Sequence, residues 1–385
     1  MRVALAVAAL LLAGAASPPA SAPDWAGDAR ALDALIVANY AYLDRLPGRR
    51  LPDSAVLSAE RTTVHDRASL LHYAEDRLAT LADHHATTGS AFPVSWALVP
   101  SYADLWVTEQ LGDYRIDAVR PDSPVARAGI VPGDRLVAVD GATIARAVAD
   151  FWNGFGLSPA GERAGYAARV LAAERRDRAR RLTIAHGYAE RAVVLPSLYG
   201  GDVELPPVSV GQEGRATVIR LGNSLGEQGT IAAFDAAMAR APQGAALTVD
   251  LTDTPSGGNT SVARAIMGWF VSRPTSYQVH NLPAEERETG IARQWIEQVL
   301  PRAGKHHVGP VTVRVGRWTG SMGEGLAIGL RAAGATVCGG PMAGLRGAVY
   351  DFALPSSGLA VKFPAERLST VDGVSRERFV PPPCR

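Results

Sequence analysis

The chain has 385 residues, 47% of them apolar and 20% charged. Single hydrophobic cores stop growing at roughly 250–300 residues, so more than one domain is expected. A net charge of +1 leaves no basic excess to neutralise a phosphate backbone and no acidic tail, which excludes nucleic acid as the expected partner and describes an ordinary globular protein.

The first element is a leader. Met1 and Arg2 precede an apolar run to about Ala16, then small residues and prolines to Ala22. The run is shorter than the roughly 20 residues that span a bilayer, and Ala13-Gly14-Ala15 or Ala20-Ser21-Ala22 offers a small-x-small cleavage site, so residues 1–22 read as a signal peptide. A membrane anchor is the alternative. No cysteine near the cleavage region offers a lipid attachment point. The expectation is export to a periplasmic or extracellular compartment, with no integral span after cleavage.

From residue 24 to about 83, apolar residues recur at spacings of three and four (Leu32, Leu35, Ile36, Tyr40; Leu70, Leu71, Tyr73, Leu78, Leu81), which predicts a helical N-terminal cap. Residues 91–105 carry Pro93 and Pro100 without a helical period and read as strand and loop. From Tyr114 short alternating runs predict strand, short helix, strand up to Gly141. Residues 142–181 turn helical and rich in Ala and Arg, a helical insertion before strand-like runs at 182–185 and 192–195. Its arginines are most simply a solvated face.

After Pro206 the chain alternates: strand 216–221, helix 230–241, strand 246–251, helix 260–271, strand 311–315, helix 321–333, strand 336–338. Such alternation implies crossovers and an α/β sheet whose ligands gather at strand ends. Within it, Thr319-Gly320-Ser321-Met322-Gly323-Glu324-Gly325 lies where a strand gives way to a helix. There a serine hydroxyl is exposed and backbone N–H groups can hold a developing oxyanion. The plain reading is an N-cap serine with Glu324 completing a capping box. The G-x-S-x-G hydrolase elbow fails, because Thr319 stands where its first glycine belongs.

Cys338 and Cys384 are the only cysteines, and in an oxidising compartment they can tie a C-terminal tail to the strand ending at Cys338. Two unrelated thiols are the alternative. No CxxC and no His pair at ligand spacing suggests a metal. The adjacent His306 and His307 read as loop residues.

The segment from Ser123 to Gly141, with Ser123-Pro-Val-Ala-Arg-Ala-Gly129 and Pro132-Gly-Asp-Arg-Leu-Val-Ala-Val-Asp-Gly141, resembles the core signature of bacterial PDZ domains. With T-x-S-x-x-E at Thr319–Glu324 and the run Asp250-Leu-Thr-Asp-Thr-Pro-Ser-Gly-Gly-Asn-Thr260, the order is similar to that of peptidase family S41, the C-terminal-processing or tail-specific serine peptidases. The resemblance implies an α/β multidomain protein: signal peptide 1–22, helical cap 23–100, PDZ-like domain with a helical insertion 101–205, and a crotonase-like catalytic domain 206–385. It implies Ser321 as nucleophile and Gly257 and Gly258 as part of the oxyanion hole.

The family's commonest base, a lysine about one strand beyond the nucleophile, is absent. Arg346 holds that place, and a guanidinium stays protonated and cannot accept the serine proton. The only lysines, Lys305 and Lys362, fall elsewhere. The branch resembling the tricorn protease uses a histidine ahead of the PDZ-like domain, which Asp83-His84-His85 fits. That makes His85 the expected base and His84 the other choice, since neutral imidazole can take and return the proton. Glu324, Glu377 and Asp83 are the acidic candidates to support it, Glu377 matching the tail position of that branch.

The resemblance implies that peptide substrates join the edge of the PDZ-like sheet, with Tyr102, Leu105 and Trp106 in the receiving loop. That loop lacks a Gly-Leu-Gly-Phe type sequence, and an inward Asp104 would repel a carboxylate. The implied activity is peptide-bond hydrolysis without a cofactor. A catalytically silent peptide binder of the same fold, and a hydrolase of non-peptide esters, are the competing functions.

Overall fold

The structure is a computed structural model that describes residues 22–96, 99–173, 175–196, 206–255 and 257–384. The expected leader, apart from Ala22, lies outside the described residues. Among those described, no helix is long and apolar enough to cross a membrane.

The helical pattern at the N-terminus resolves into α1 (Trp25–Asn39), α2 (Ala55–Thr63) and α3 (Arg67–Ala79), opened by the capping side chains of Asp24, Ser54 and Asp66. Pro47 and Pro52 stand in the irregular stretch between α1 and α2, where a continuous helix would lose backbone donors. Their buried faces (Leu32, Ile36, Leu70, Leu78) pack against Val361 and Phe363 of a long C-terminal strand, so the cap shares its core with the other end of the chain. Directly after α3 come His84 and His85, and then β1 (Thr87–Thr88), which pairs antiparallel with that strand, β16 (Ala360–Thr370). Where strand and loop are expected over 91–105, residues 99–104 form a short 3-10 turn and loop, and a strand begins at Leu105.

The next body is an antiparallel sheet built from β2 (Leu105–Gln110), β3 (Asp113–Val119), β4 (Arg135–Val139), β6 (Arg180–His186) and β7 (Ala189–Leu195). They are ordered β2-β3-β4-β6-β7, and the two-residue β5 (Ala142–Thr143) adds to β4. The short α4 (Pro124–Arg127) follows β3. Gly133 and Gly141, at φ 96° and 84°, flank β4 in the left-handed region that a side chain disfavours. The insertion is two helices, α5 (Ile144–Asn153) and α6 (Glu162–Ala172), whose Val148, Trp152, Tyr166 and Val170 fill the core of this sheet.

The C-terminal body holds β8 (Val208–Glu213), β9 (Ala216–Leu221), α7 (Gly229–Arg240), β10 (Leu247–Asp250), α8 (Thr260–Met267), β11 (Thr275–Asn281), α9 (Pro283–Thr289), β12 (Gln294–Val299), β13 (Val311–Arg314), α10 (Met322–Ala332), β14 (Thr336–Cys338) and β15 (Ala348–Ala353). One sheet runs β14-β13-β10-β9-β8, parallel except for its β8 edge. A second runs β1-β16-β11-β12, with β15 also on β16. The predicted crossover elements fall within a few residues of their places, except that α8 stops at Met267, short of 271, where Gly268 caps it. Strands β8, β11, β12, β15 and β16 were not anticipated. Helix α10 is buried over nearly its whole surface, as its run of Gly, Ala, Leu and Ile requires. Cys338 and Cys384 are disulfide-bonded, and the Gly339 N–H donates to the Pro382 carbonyl at 2.8 Å, fastening the tail to β14.

Candidate active site

Ser321 stands between β13 and α10 with φ 51° and ψ −112°, a left-handed conformation that a non-glycine residue holds only when its surroundings enforce it. Those surroundings can be named. The Thr319 hydroxyl donates to the Leu251 carbonyl at 2.7 Å and accepts from the Gly316 N–H at 2.9 Å, so the threonine that breaks the hydrolase-elbow pattern serves as a tie. Gly320 packs so closely on the next loop that a Cβ would lie 2.6 Å from the Pro255 carbonyl oxygen. The Ser321 N–H donates to the Glu324 carboxylate at 2.9 Å.

His85 meets this serine from the other end of the sequence, with Nε2 3.0 Å from Ser321 Oγ. Its Nδ1 lies 2.6 Å from the Arg346 carbonyl oxygen, which can only accept, so Nδ1 carries the proton and Nε2 presents a lone pair to the serine hydroxyl. The His85 N–H donates to Asp83, whose other oxygen accepts from the Tyr40 hydroxyl at 2.7 Å. Burial, with the nearby Arg376 charge, lowers the His85 imidazole to about 4, so the ring is neutral at pH 7.

His84 points elsewhere. It stacks on Tyr166 with ring centroids 4.4 Å apart and its Nε2 accepts from Arg169 Nε at 2.9 Å. Adjacent positions face opposite sides, and only His85 reaches Ser321.

The expected acids are placed otherwise than anticipated. Neither Glu324 nor Glu377 meets the His85 imidazole. Glu324, buried and raised to about 7 by that burial, accepts from the N–H groups of Ser321, Gly344 and Leu345. It couples the serine turn to the loop that carries the Arg346 carbonyl. Glu377 sits in a short turn, its Oε2 buried without a hydrogen-bond partner among the described residues. Asp83 acts on the backbone of His85, and the group opposite Nδ1 is a peptide carbonyl. The Arg346 guanidinium is turned away to Glu162 and the Ala82 carbonyl.

Sequence reasoning missed Arg376. It is buried, and Nη2 donates to the carbonyls of Leu345 and Gly347 at 2.8 and 2.6 Å, bracing both sides of Arg346. Its place in the charged run Arg376-Glu377-Arg378 gave it the look of a surface residue.

Of the glycines, Gly257 adjoins the serine, since a Cβ there would lie 3.1 Å from Ser321 Oγ. Gly258 packs instead on Leu225, where a Cβ would meet the carbonyl oxygen at 2.2 Å. Both line a cavity of about 510 Å³ together with His85, Ser321, Tyr102 and His280.

The receiving loop also needs correction. Tyr102 lines the cavity, but Leu105 is buried in the core of the β2–β7 sheet. Trp106 is buried against Ala343 and Leu345, with the Arg317 and Arg169 guanidinium groups 5.0 and 5.8 Å from its ring centroid. Leu105 and Val107 face the core of their own sheet while Trp106 points to the opposite side, where Ala343 and Leu345 cover it, so both faces of the strand are buried at this point. The loop itself is docked on the C-terminal body: Ser101 Oγ donates to the Pro255 carbonyl and Trp318 Nε1 to the Ala103 carbonyl. Asp104 is fully buried in an ion pair with Arg180 at 2.6 Å, so its charge is compensated internally.

Among the described residues, the side chains with metal-ligand spacing are Glu60, His72 and Asp76, on α2 and α3. They take no part in the Ser321 cavity.

A family model described as PDZ domain matches residues 115–151, which begin in β3 and run into α5. No curated protein sequence matches the chain. Among solved structures of similar fold, the photosystem II D1 C-terminal processing protease is 18% identical, with a TM-score of 0.56 over 94% of this chain and 92% of that one. Mature CPAF is 14% identical, with the same TM-score and the same coverage of both chains. The fold is that of PDZ-containing S41 peptidases, a multidomain α/β architecture.

Proposed function

We propose that the protein is an exported serine-type endopeptidase in which Ser321 is the nucleophile and His85 the general base. The observation that carries this reading is the 3.0 Å contact between His85 Nε2 and Ser321 Oγ, with Nδ1 held by the Arg346 carbonyl. Ser321 Oγ attacks the peptide carbonyl carbon while its proton passes to His85 Nε2. The C–N bond then breaks, the same proton goes to the leaving amine, and an acyl ester remains on Ser321. Water attacks the ester, gives a proton to Nε2, and that proton returns to Ser321 Oγ as the carboxylate product leaves.

The oxyanion is received in the Gly257 and Gly258 loop beside the serine turn. In place of a carboxylate, the carbonyl of Arg346 orients the imidazole, with Arg376, Glu324 and Asp83 as positioning residues. The substrate is an extended protein or peptide segment, and no cofactor enters the sequence of steps. Export is supported by the leader pattern at 1–22 and by the cystine, which suits an oxidising compartment.

A fluorophosphonate probe on the mature protein tests this, alongside Ser321→Ala, His85→Ala and His84→Ala. The expected result is labelling that requires Ser321, falls with His85→Ala and persists with His84→Ala. An unlabelled wild type that still binds peptides would make the protein a silent peptide binder and overturn the assignment.

A further inference from the structure

A second cavity of about 510 Å³ lies between α3, the 91–96 loop and the end of α5. Its floor is aromatic, formed by Phe92, Trp96, Phe151 and Phe155, and the exposed Val94 stands in its wall. Its rim carries His72, Glu75, Asp76 and Arg176, a mixed set that selects no single sign of charge. Three residues, Thr87, Val99 and Tyr102, line both this cavity and the one that contains Ser321 and His85. The two spaces are therefore neighbours across a shared wall of three residues.

Thr87 belongs to β1, two residues beyond His85, and β1 is the end strand of its sheet, pairing only with β16 among the described strands. An extended peptide laid along such an edge places alternate side chains on one side. A chain passing Ser321 along this edge would run by Thr87, which lines both cavities.

We propose that this cavity is a remote substrate subsite that takes a large apolar, preferably aromatic, side chain of the same peptide that Ser321 cleaves. The assignment rests on the peptidase reading and adds a substrate class to it. An aromatic side chain gains there by leaving water and by ring-to-ring packing on Trp96, Phe151 and Phe155.

The test separates the subsite from the chemistry. Peptides of one sequence, with a single phenylalanine or alanine moved through the positions on either side of a fixed scissile bond, are measured for kcat/KM on the mature enzyme. The same set is measured for binding to Ser321→Ala. At one remote position phenylalanine should exceed alanine by about tenfold or more in both readouts. Val94→Trp and Val94→Arg, at a largely exposed position of the cavity wall, should erase that preference. Cleavage of a short peptide confined to the Ser321 cavity should be unchanged in both variants. No positional preference in the wild type, or a preference that survives both Val94 variants, would overturn the subsite. Binding preference on Ser321→Ala without any hydrolysis by the wild type would keep the subsite and sink the peptidase reading instead.

Discussion

Two histidines line the cavity around Ser321, and their surroundings drive them in opposite directions. His85 faces a carbonyl and a hydroxyl, with the Arg376 charge nearby, and burial lowers it to about 4. Burial also works against a charge on His280, yet Glu297 at 3.2 Å and Glu366 at 2.7 Å outweigh it and raise that ring to about 9. At neutral pH one ring is a base and the other a cation stacked on Trp295. What separates them is the partner of each ring nitrogen: a neutral carbonyl preserves the lone pair that acid–base chemistry needs, whereas a carboxylate on each nitrogen removes it.

The largest effect should come from removing the base. His85→Ala is expected to lower kcat/KM by roughly 10³-fold, while His280→Gln leaves a labelled Ser321, as read by peptide hydrolysis and probe labelling. His280→Leu should act on stability, because Glu297 and Glu366 would face each other without the imidazolium between them, and the nearby Arg264, 3.5 Å from Glu297, would remain as the partner of Glu297 alone. A loss of about 3 kcal/mol in denaturant unfolding is expected.

Arg376→Gln sharpens the contrast from the other side. It frees the loop that orients His85 and removes a repelling charge, so kcat should fall by roughly tenfold or more. The acid limb of the pH profile, expected well below 6.5 in the wild type because His85 is lowered to about 4, should move upward. A merely structural role would lower activity without moving that limb.

The smallest effect is the pH dependence of folding. The depressed His85 contributes stability that is present above about 6.5 and lost as pH falls toward 4. The raised His280 contributes stability that is present below 6.5 and lost as pH rises through about 9. Melting temperature should therefore decline on both flanks, and His280→Gln should flatten the alkaline one.

The parts legible in the sequence were those that local pattern determines. The crossover strands and helices announce themselves by period, whereas Ser321 and His85, 3.0 Å apart in the structure, stand out in the sequence only through the resemblance of their surroundings to family motifs. What escaped depends on the backbone or on distant packing. The group that orients His85 is a carbonyl, which every residue possesses, so nothing in the letters around Arg346 marks it. Arg376 and Glu377 alternate between interior roles within a run that reads as surface. Leu105 and Trp106 stand where a binding loop is expected, but each face of their strand is covered by a different part of the molecule, which composition does not signal. Strand β12, Gln-Trp-Ile-Glu-Gln-Val, alternates in exposure but not in polarity, with apolar pairs and polar pairs side by side, so no two-residue period marks it in the sequence.

The 3.0 Å contact at the centre of the site joins residues 236 positions apart in the chain. Neither the cap with β1 nor the crossover sheet holds a nucleophile and base of its own. The pairing is thus a property of the finished assembly: a chain not yet fully folded, or one whose halves have come apart, carries a serine and an imidazole out of each other's reach. Under the peptidase reading proposed above, the ability to cut arises only when residues from the two ends of the chain have come together, so correct folding itself restrains premature cutting.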